Sequence, residues 1–309
     1  MLKRLIPAFA LIAACQTAPA ETVPEPAPAP EESSWRPVDP ENLLLFDLGE
    51  DRVIFVELLP EAAPVNAAAL REAVRTGYFD GEYFYRVIET HVAQAGREFD
   101  QAMEGVEELP LEAERETSSV GFDPLGSADL YAAQVGHRKG FPAAHQRGGE
   151  WLLNCPGAVG MARSEDPDSA VTEIYIPLLP RRYLDRNYTI VGRVISGMDT
   201  VNGLRRVEPS TEEEAEILFG EDPAAAAEAA EARAEKLAPN RIIAARVAAD
   251  MPPEDRPAFE VMKTPSAEWT ALKESKIDYS SISAYVQTPP KVLDICTLPV
   301  PVRPIFEHN

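Results

Sequence analysis

The sequence predicts a mainly β fold, a closed or nearly closed antiparallel barrel with few helices. Three observations predict it. Short runs of branched and aromatic residues recur between turn signals, as in Leu43–Leu48 and Val53–Leu58 on either side of Gly49-Glu50-Asp51-Arg52. Within that strand-rich stretch helical texture is confined to about two short segments, and no internal repeat is present. With 309 residues the chain has room for one large domain or two small ones with a genuine core.

The N-terminus stands apart from this pattern. Met1-Leu2-Lys3-Arg4 is basic, and Leu5 to Ala14 is apolar but too short to span a bilayer. The stretch ends Ile12-Ala13-Ala14-Cys15, which resembles the bacterial lipobox, where small residues precede a cysteine that is lipidated and becomes the mature N-terminus. An ordinary secretory signal cleaved after Ala20 is the other reading, and either one takes the mature protein out of the cytoplasm. Residues 1–15 are therefore expected to be a lipoprotein-type signal peptide, with a lipid anchor at Cys15 as the membrane contact in a periplasm-facing location. Residues 16–42 are rich in Pro, Ala and Glu, as in Val23-Pro24-Glu25-Pro26, and are expected to form a disordered stalk.

The domain follows from Leu43. Pro60 to Asn66 lead into an alanine-rich helix ending near Thr76, with Val65, Ala69 and Ala73 on one face and Gly77 as C-cap. Tyr83-Phe84-Tyr85-Arg86-Val87-Ile88 reads as a strand with an arginine in its middle. Taken alone, Arg86 is an edge-strand charge with its head in water. Residues 98–150 are acidic and glycine-dotted, and read mostly as long surface loops. Strand texture resumes at Ala158–Ala162, Glu173–Ile176 and Tyr188–Ile195, followed by a short helix over Gly197–Leu204. Residues 211–237 read as an acidic helix with a solvated face, Arg241–Val247 as a further strand, and 251–309 as a proline-rich extension.

A net charge of −22 argues against nucleic-acid binding and against docking on anionic lipid through a basic patch. Of the three cysteines, Cys155 and Cys296 remain if Cys15 is lipidated, and in an oxidising compartment they are expected to pair. Two independent buried thiols are the alternative.

In this order the pieces resemble the cyclophilin-type peptidyl-prolyl isomerases. The matching text is Val53–Leu58, Ala63-Pro64-Val65-Asn66, Gly77-Tyr78-Phe79-Asp80-Gly81, Phe84-Tyr85-Arg86-Val87-Ile88 with Gln94, Gly160-Met161-Ala162-Arg163, Glu173-Ile174-Tyr175-Ile176, Leu184-Asp185 and Val191–Asp199. The resemblance covers residues 43–250, interrupted by insertions at about 98–150 and 208–238. It implies a closed eight-stranded antiparallel barrel capped by two helices, with an active groove on the outer face. It also implies isomerisation of X–Pro bonds in proline-containing polypeptides, here exported ones. Arg86 takes the place of the catalytic arginine and Gln94 that of the glutamine holding the substrate backbone. His91, Val92, Ala162, Arg163, Glu173, Tyr175, Leu184 and Tyr188 fall on the other groove positions. No cofactor, nucleotide or metal is required; His91 has no second histidine or cysteine beside it.

The departures cluster around the groove. Tyr85 stands where a histidine is usual, His91 where a phenylalanine floors the proline pocket, and Val92 where a methionine is common. Arg163 replaces an asparagine, Glu173 a glutamine, Tyr175 a phenylalanine, Tyr183 a tryptophan and Tyr188 a histidine. These changes are expected to make the pocket more polar, to pair Glu173 with Arg86 and to weaken activity or alter substrate preference. A catalytically weak binding or chaperone module of the cell envelope is the alternative function.

Overall fold

Period-two burial builds the central sheet. Ile54 and Val56 are fully buried while Val53 and Phe55 between them are not, the alternation a strand requires when one face meets a core. The computed structural model describes residues 33–98, 107–117 and 120–305, so the signal peptide, Cys15 and residues 16–32 of the stalk lie outside the described residues. In chain order the strands and helices are β1 (Trp35–Pro37), β2 (Leu43–Asp47), β3 (Val53–Leu58), α1 (Pro64–Arg75), β4 (Tyr83–Val87) and β5 (Val92–Gly96). Next come β6 (Arg115–Glu116), β7 (Phe122–Pro124), β8 (Val135–Arg138), β9 (Phe141–Gln146) and β10 (Gly149–Leu152). Then follow β11 (Ala158–Met161), β12 (Ile174–Pro177), β13 (Ile190–Ser196), α2 (Met198–Gly203), α3 (Glu212–Leu218) and α4 (Pro223–Leu237). The chain closes with β14 (Ala244–Val247), β15 (Phe259–Met262), α5 (Ala267–Lys276) and β16 (Val302–Pro304). Among the described residues no helix is long and apolar enough to cross a membrane.

Eight strands form one curled antiparallel sheet in the order β14-β2-β3-β13-β11-β12-β5-β4. The ladder is open between its edge strands β14 and β4. Across that seam lie the bridge Tyr83↔Arg241 and two backbone hydrogen bonds, Gly81 N–H to Ile242 O (2.9 Å) and Ile242 N–H to Glu82 O (2.8 Å). The outward backbone of β4 is occupied along its length. Asn240 Nδ2 donates to Phe84 O (3.1 Å), Arg233 Nη2 on α4 to Tyr85 O (3.1 Å), and Val87 exchanges both backbone bonds with Val207 (2.8 and 3.1 Å).

α1 starts with Pro64 at its first turn, where a missing N–H costs nothing. Ala63 cannot cap it, and Glu112 does so from the insertion, accepting from Val65 N–H (3.1 Å) and Asn66 N–H (2.9 Å). Its C-terminus is a Schellman turn: Gly77 sits at φ 74°, Tyr78 N–H reaches Ala73 O and Gly77 N–H reaches Val74 O. The buried side is Asn66, Ala67, Leu70, Ala73 and Val74, whereas Val65 is 46% exposed. The stripe expected through Val65 is thus turned by about one position, which lets Leu70 reach the core.

Of the stretch 98–150 expected as surface loops, the described residues from Arg115 on are not loops of the kind their acidic, glycine-dotted texture suggests. They form a five-stranded antiparallel sheet in the order β6-β10-β9-β8-β7, with tight turns at Gly140 (φ 89°) and Gly148 (φ 85°). Hydrophobic alternation is weak there because buried positions go to ions: Arg138 and Arg115 both bind Glu150, which is 1% exposed. The stalk also ends sooner than its composition indicates. Trp35, Arg36 and Pro37 pair with Met262, Val261 and Glu260, so β1-β15-β16 is a third sheet. The tail beyond Met251 therefore carries strands and helix α5, and the acidic stretch is two helices, α3 opened by a Thr211–Glu214 capping box and α4 by Asp222. A disulfide joins Cys155 to Cys296, fastening the tail beside β11.

Candidate active site

The β4–β5 hairpin sets the first two site residues. Arg86 and Gln94 are cross-strand partners, and a register shift between Tyr83 and Arg86 turns both Phe84 and Tyr85 inward. Arg86 Nη1 donates to Gln94 Oε1 at 3.2 Å. On the other side of the amide, Gln94 Nε2 donates to Glu173 Oε2 at 2.8 Å and to the Tyr85 hydroxyl, which itself donates to Glu173 Oε2. The carboxylate thus fixes which way the amide points: its N–H groups go inward and its oxygen faces the guanidinium. Burial, then the neighbouring Glu173 charge, raises the Tyr85 hydroxyl far above its ordinary range, so it stays a neutral donor. The expected Glu173–Arg86 pairing is replaced by this arrangement, because Glu173 is 1% exposed behind Gln94 and its carboxylate meets Gln94 and Tyr85 first.

Arg86, His91, Val92, Gln94, Ala162, Arg163, Tyr175, Leu184 and Tyr188 line one cleft of about 180 Å³. Of the sequence-derived groove residues only Glu173 stands behind the wall instead of on it. The volume is below that of a drug-sized site and suits a single side chain. Tyr175 is paired in register with Gly160, where a Cβ would lie 2.4 Å from Tyr175 Cζ, so the glycine admits the ring. The Tyr175 hydroxyl donates to Asn154 Oδ1 at 2.7 Å, turned away from the cleft. The wall consequently stays more apolar than a Phe-to-Tyr change implies, since the added oxygen is used behind it. Tyr188 meets Tyr175 edge-on at 5.6 Å, and the Arg163 guanidinium lies 4.5 Å above the Tyr188 ring. Arg163 is held there by Asn187 O (3.0 Å) and Ser164 O (2.8 Å).

His91 closes the rim, with the Tyr183 hydroxyl 3.4 Å from its Nδ1. Burial, then the charges of Arg86 and Arg181, lowers its pKa below the ordinary histidine value, so the rim carries no extra cation at neutral pH. A larger concavity of about 670 Å³ lies under the tail beside the disulfide, but it shares none of the residues named for the groove. Among the described residues no group of three or more His, Cys, Asp or Glu is placed to hold a metal ion.

An arginine at the rim of a small cleft of mixed polar and apolar lining is joined to a fixed glutamine on a curled antiparallel sheet. With that geometry in place, likeness to known proteins is informative. Residues 45–218 match the family described as cyclophilin type peptidyl-prolyl cis-trans isomerase/CLD. The chain belongs to the cyclophilin-type peptidyl-prolyl cis-trans isomerase family.

Among relatives of this cyclophilin, a Brucella suis protein named probable peptidyl-prolyl cis-trans isomerase is 32% identical over 172 residues, 54% of this chain and 74% of that protein. An Acinetobacter baylyi peptidyl-prolyl cis-trans isomerase is 26% identical over 163 residues, 51% of this chain and 69% of that protein. The crystal structure of cyclophilin AquaCyp293 from Hirschia baltica superposes with a TM-score of 0.65 at 26% identity, covering 89% of this chain and 95% of that one. The enzyme class indicated by family and relatives is peptidyl-prolyl cis-trans isomerase. One residue behind the cyclophilin groove, Asn154, escaped the sequence reading, and so did the buried role of Tyr85. Tyr85 was visible as a departure beside Arg86, but its inward turn depends on the strand irregularity. Asn154 lies between β10 and β11 in no motif, and nothing in the sequence marks it.

Proposed function

We propose that this chain accelerates cis-trans isomerisation of X–Pro bonds in exported polypeptides, with Arg86 as the donor to the prolyl nitrogen. The observation that carries the reading is the Arg86–Gln94 pair at the rim of the slot formed by Val92, Ala162, Tyr175, Leu184 and Tyr188. Rotation about the bond is opposed by its partial double-bond character, with a barrier of about 18–20 kcal/mol. In the twisted transition state the prolyl nitrogen regains its lone pair and accepts a hydrogen bond, which it cannot do in the planar ground state. A guanidinium aimed there stabilises the transition state selectively. The slot holds the pyrrolidine ring, and the Gln94 oxygen keeps Arg86 oriented.

A protease-coupled assay on a proline peptide tests this. Wild-type protein should exceed the uncatalysed rate, and Arg86→Ala should lose about 10²-fold in kcat/KM. Equal, uncatalysed rates from both proteins would sink the reading. One observation favours the alternative of a weakly catalytic binding module: the Gln94 amide N–H groups are engaged by Glu173 and Tyr85, and so compete with a substrate carbonyl. Binding of the peptide without acceleration would support it.

The address is part of the same proposal. The basic start, short apolar stretch and Cys15 support an envelope protein held by a lipid anchor, with the proline-rich stretch that precedes Trp35 as stalk, 43–250 as the isomerase domain and 251–309 as an extension. Cys15→Ser should release the protein into the soluble periplasmic fraction; a wild type already soluble there ends the anchor proposal.

A further inference from the structure

The insertion reaches the substrate slot through one continuous chain of hydrogen bonds. It starts at Asp129, whose Oδ1 accepts from Tyr131 N–H and Ala132 N–H, both at 2.9 Å, and so belongs to a fixed turn. Arg182 binds that carboxylate with both ends of its fork, at 2.7 and 3.1 Å. Its Nε donates to Asp185 Oδ2 at 2.6 Å, and Asp185 Oδ1 accepts from Asn154 N–H (2.9 Å) and Asn154 Nδ2 (3.3 Å). Because the Asn154 amide nitrogen is committed to a carboxylate, its oxygen must face the other way, toward the Tyr175 hydroxyl at 2.7 Å. Asn154 is 0% exposed and Tyr175 4% exposed, so neither finds bulk water as a substitute partner.

We propose that Asn154 and, through Arg182 and Asp185, Asp129 are positioning residues that set the Tyr175 ring in the proline slot and thereby the affinity for the prolyl side chain. This rests on the isomerase reading of the cleft and assigns the insertion a part in it. A phenylalanine at this position needs no acceptor and is placed by packing alone. A tyrosine leaves a buried donor that must be satisfied, so its ring goes where Asn154 holds the oxygen. Since Tyr175 walls the slot without donating into it, the chain acts on how well the ring is held and not on the transfer of a hydrogen bond to the prolyl nitrogen.

The test is a double-mutant cycle on the full chain, read as KM and kcat in the proline-peptide assay and as Kd by calorimetry with the same peptide. Asn154→Ala should raise KM about tenfold and Asp129→Asn about threefold, both with kcat little changed. In a Tyr175→Phe background each effect should shrink toward one, because the hydroxyl that transmits it is gone. Equal effects in both backgrounds, or a fall in kcat at constant KM, overturn the proposal. If Asn154→Ala does not fold, Asp129→Asn with Tyr175→Phe completes the cycle. If wild type gives no turnover, the isomerase reading fails while the Kd cycle still decides the coupling; if it binds no proline peptide either, the proposal fails with it.

Discussion

Inside the eight-stranded sheet the fully buried side chains are apolar, aliphatic ones such as Leu44, Ile54, Val56, Ile174 and Val191 together with Phe46, Phe84 and Met161. Between that sheet and the layers added to it, the buried set includes Glu57, His137, Glu150 and Arg193. The difference follows from which face each region covers. β3 and β13 point their aliphatic residues inward and set Glu57 opposite Arg193 on the outer face. In a bare sheet that outer face would be wet. Here the insertion and the β1 segment cover it, so its charges had to be matched: Arg36 Nη1 binds Glu57 at 2.6 Å, Arg193 Nη2 binds the other oxygen at 3.2 Å, and Arg193 Nη1 donates to Gly140 O at 2.6 Å. A face that carries charges is buried by pairing its ions, whereas one that encloses a core is buried by packing.

The sharpest way to break this contrast is to remove one ion. Glu150→Ala leaves Arg138 and Arg115 facing a buried gap and should cost about 3–5 kcal/mol in denaturant unfolding. A cost below about 1 kcal/mol would mean the network is wet. The next effect is the tail's. Converting both Cys155 and Cys296 to serine frees a loop with 141 residues of separation and should cost about 2–4 kcal/mol, while turnover in the groove changes little.

Acid separates the two regions by a different route. His137 is paired in register with Asp123, touches Trp269 edge-on at 4.9 Å, and is driven down to about 3 by burial, then by Arg193 and Lys273. Asp123 also accepts from Trp269 Nε1 and Lys273 Nζ, so its charge is already engaged by α5. The folded pKa lies below the unfolded value of 6.5, so the unfolded chain binds the proton first. Stability from this group is therefore full above pH 6.5 and is lost as pH falls toward 3, about 2 kcal/mol by pH 5. Chemical denaturation at stepped pH checks it, with His137→Gln flattening the slope if the assignment is right. The smallest effect belongs to the groove. Glu173→Gln removes the carboxylate that holds the Gln94 amide and should change kcat/KM severalfold, about 1 kcal/mol, without a comparable change in unfolding midpoint.

The same contrast explains what could be read in advance. The strands of the main sheet, the hairpin that sets Arg86 against Gln94, and nine of the groove residues were legible, because alternation and motif order survive in Val53–Leu58 and Phe84–Ile88. The sheet at 115–152 was not, because Arg138, His137 and Glu150 occupy positions where a half-buried strand would show apolar residues. Trp35–Pro37 hid behind a proline-rich neighbourhood, since the partner strand lies more than 200 residues away. The inward turn of the Tyr175 hydroxyl depends on Asn154, which only the folded chain brings near. Sequence pattern records the environment a residue was selected for along its own element; it says little about a cover supplied from elsewhere.

The occupied backbone of β4 bears on what kind of polypeptide handling this surface permits. An open sheet edge captures extended chains by strand addition, indiscriminately and often without release. Here Asn240 takes the Phe84 carbonyl, Arg233 the Tyr85 carbonyl and Val207 both groups of Val87. The residues that flank and include the acidic helices thus fill the backbone of the hairpin that carries Arg86, and leave that stretch of edge unavailable for strand addition. Loss of Arg233 would uncover only the Tyr85 carbonyl, with Asn240 and Val207 still in place on either side.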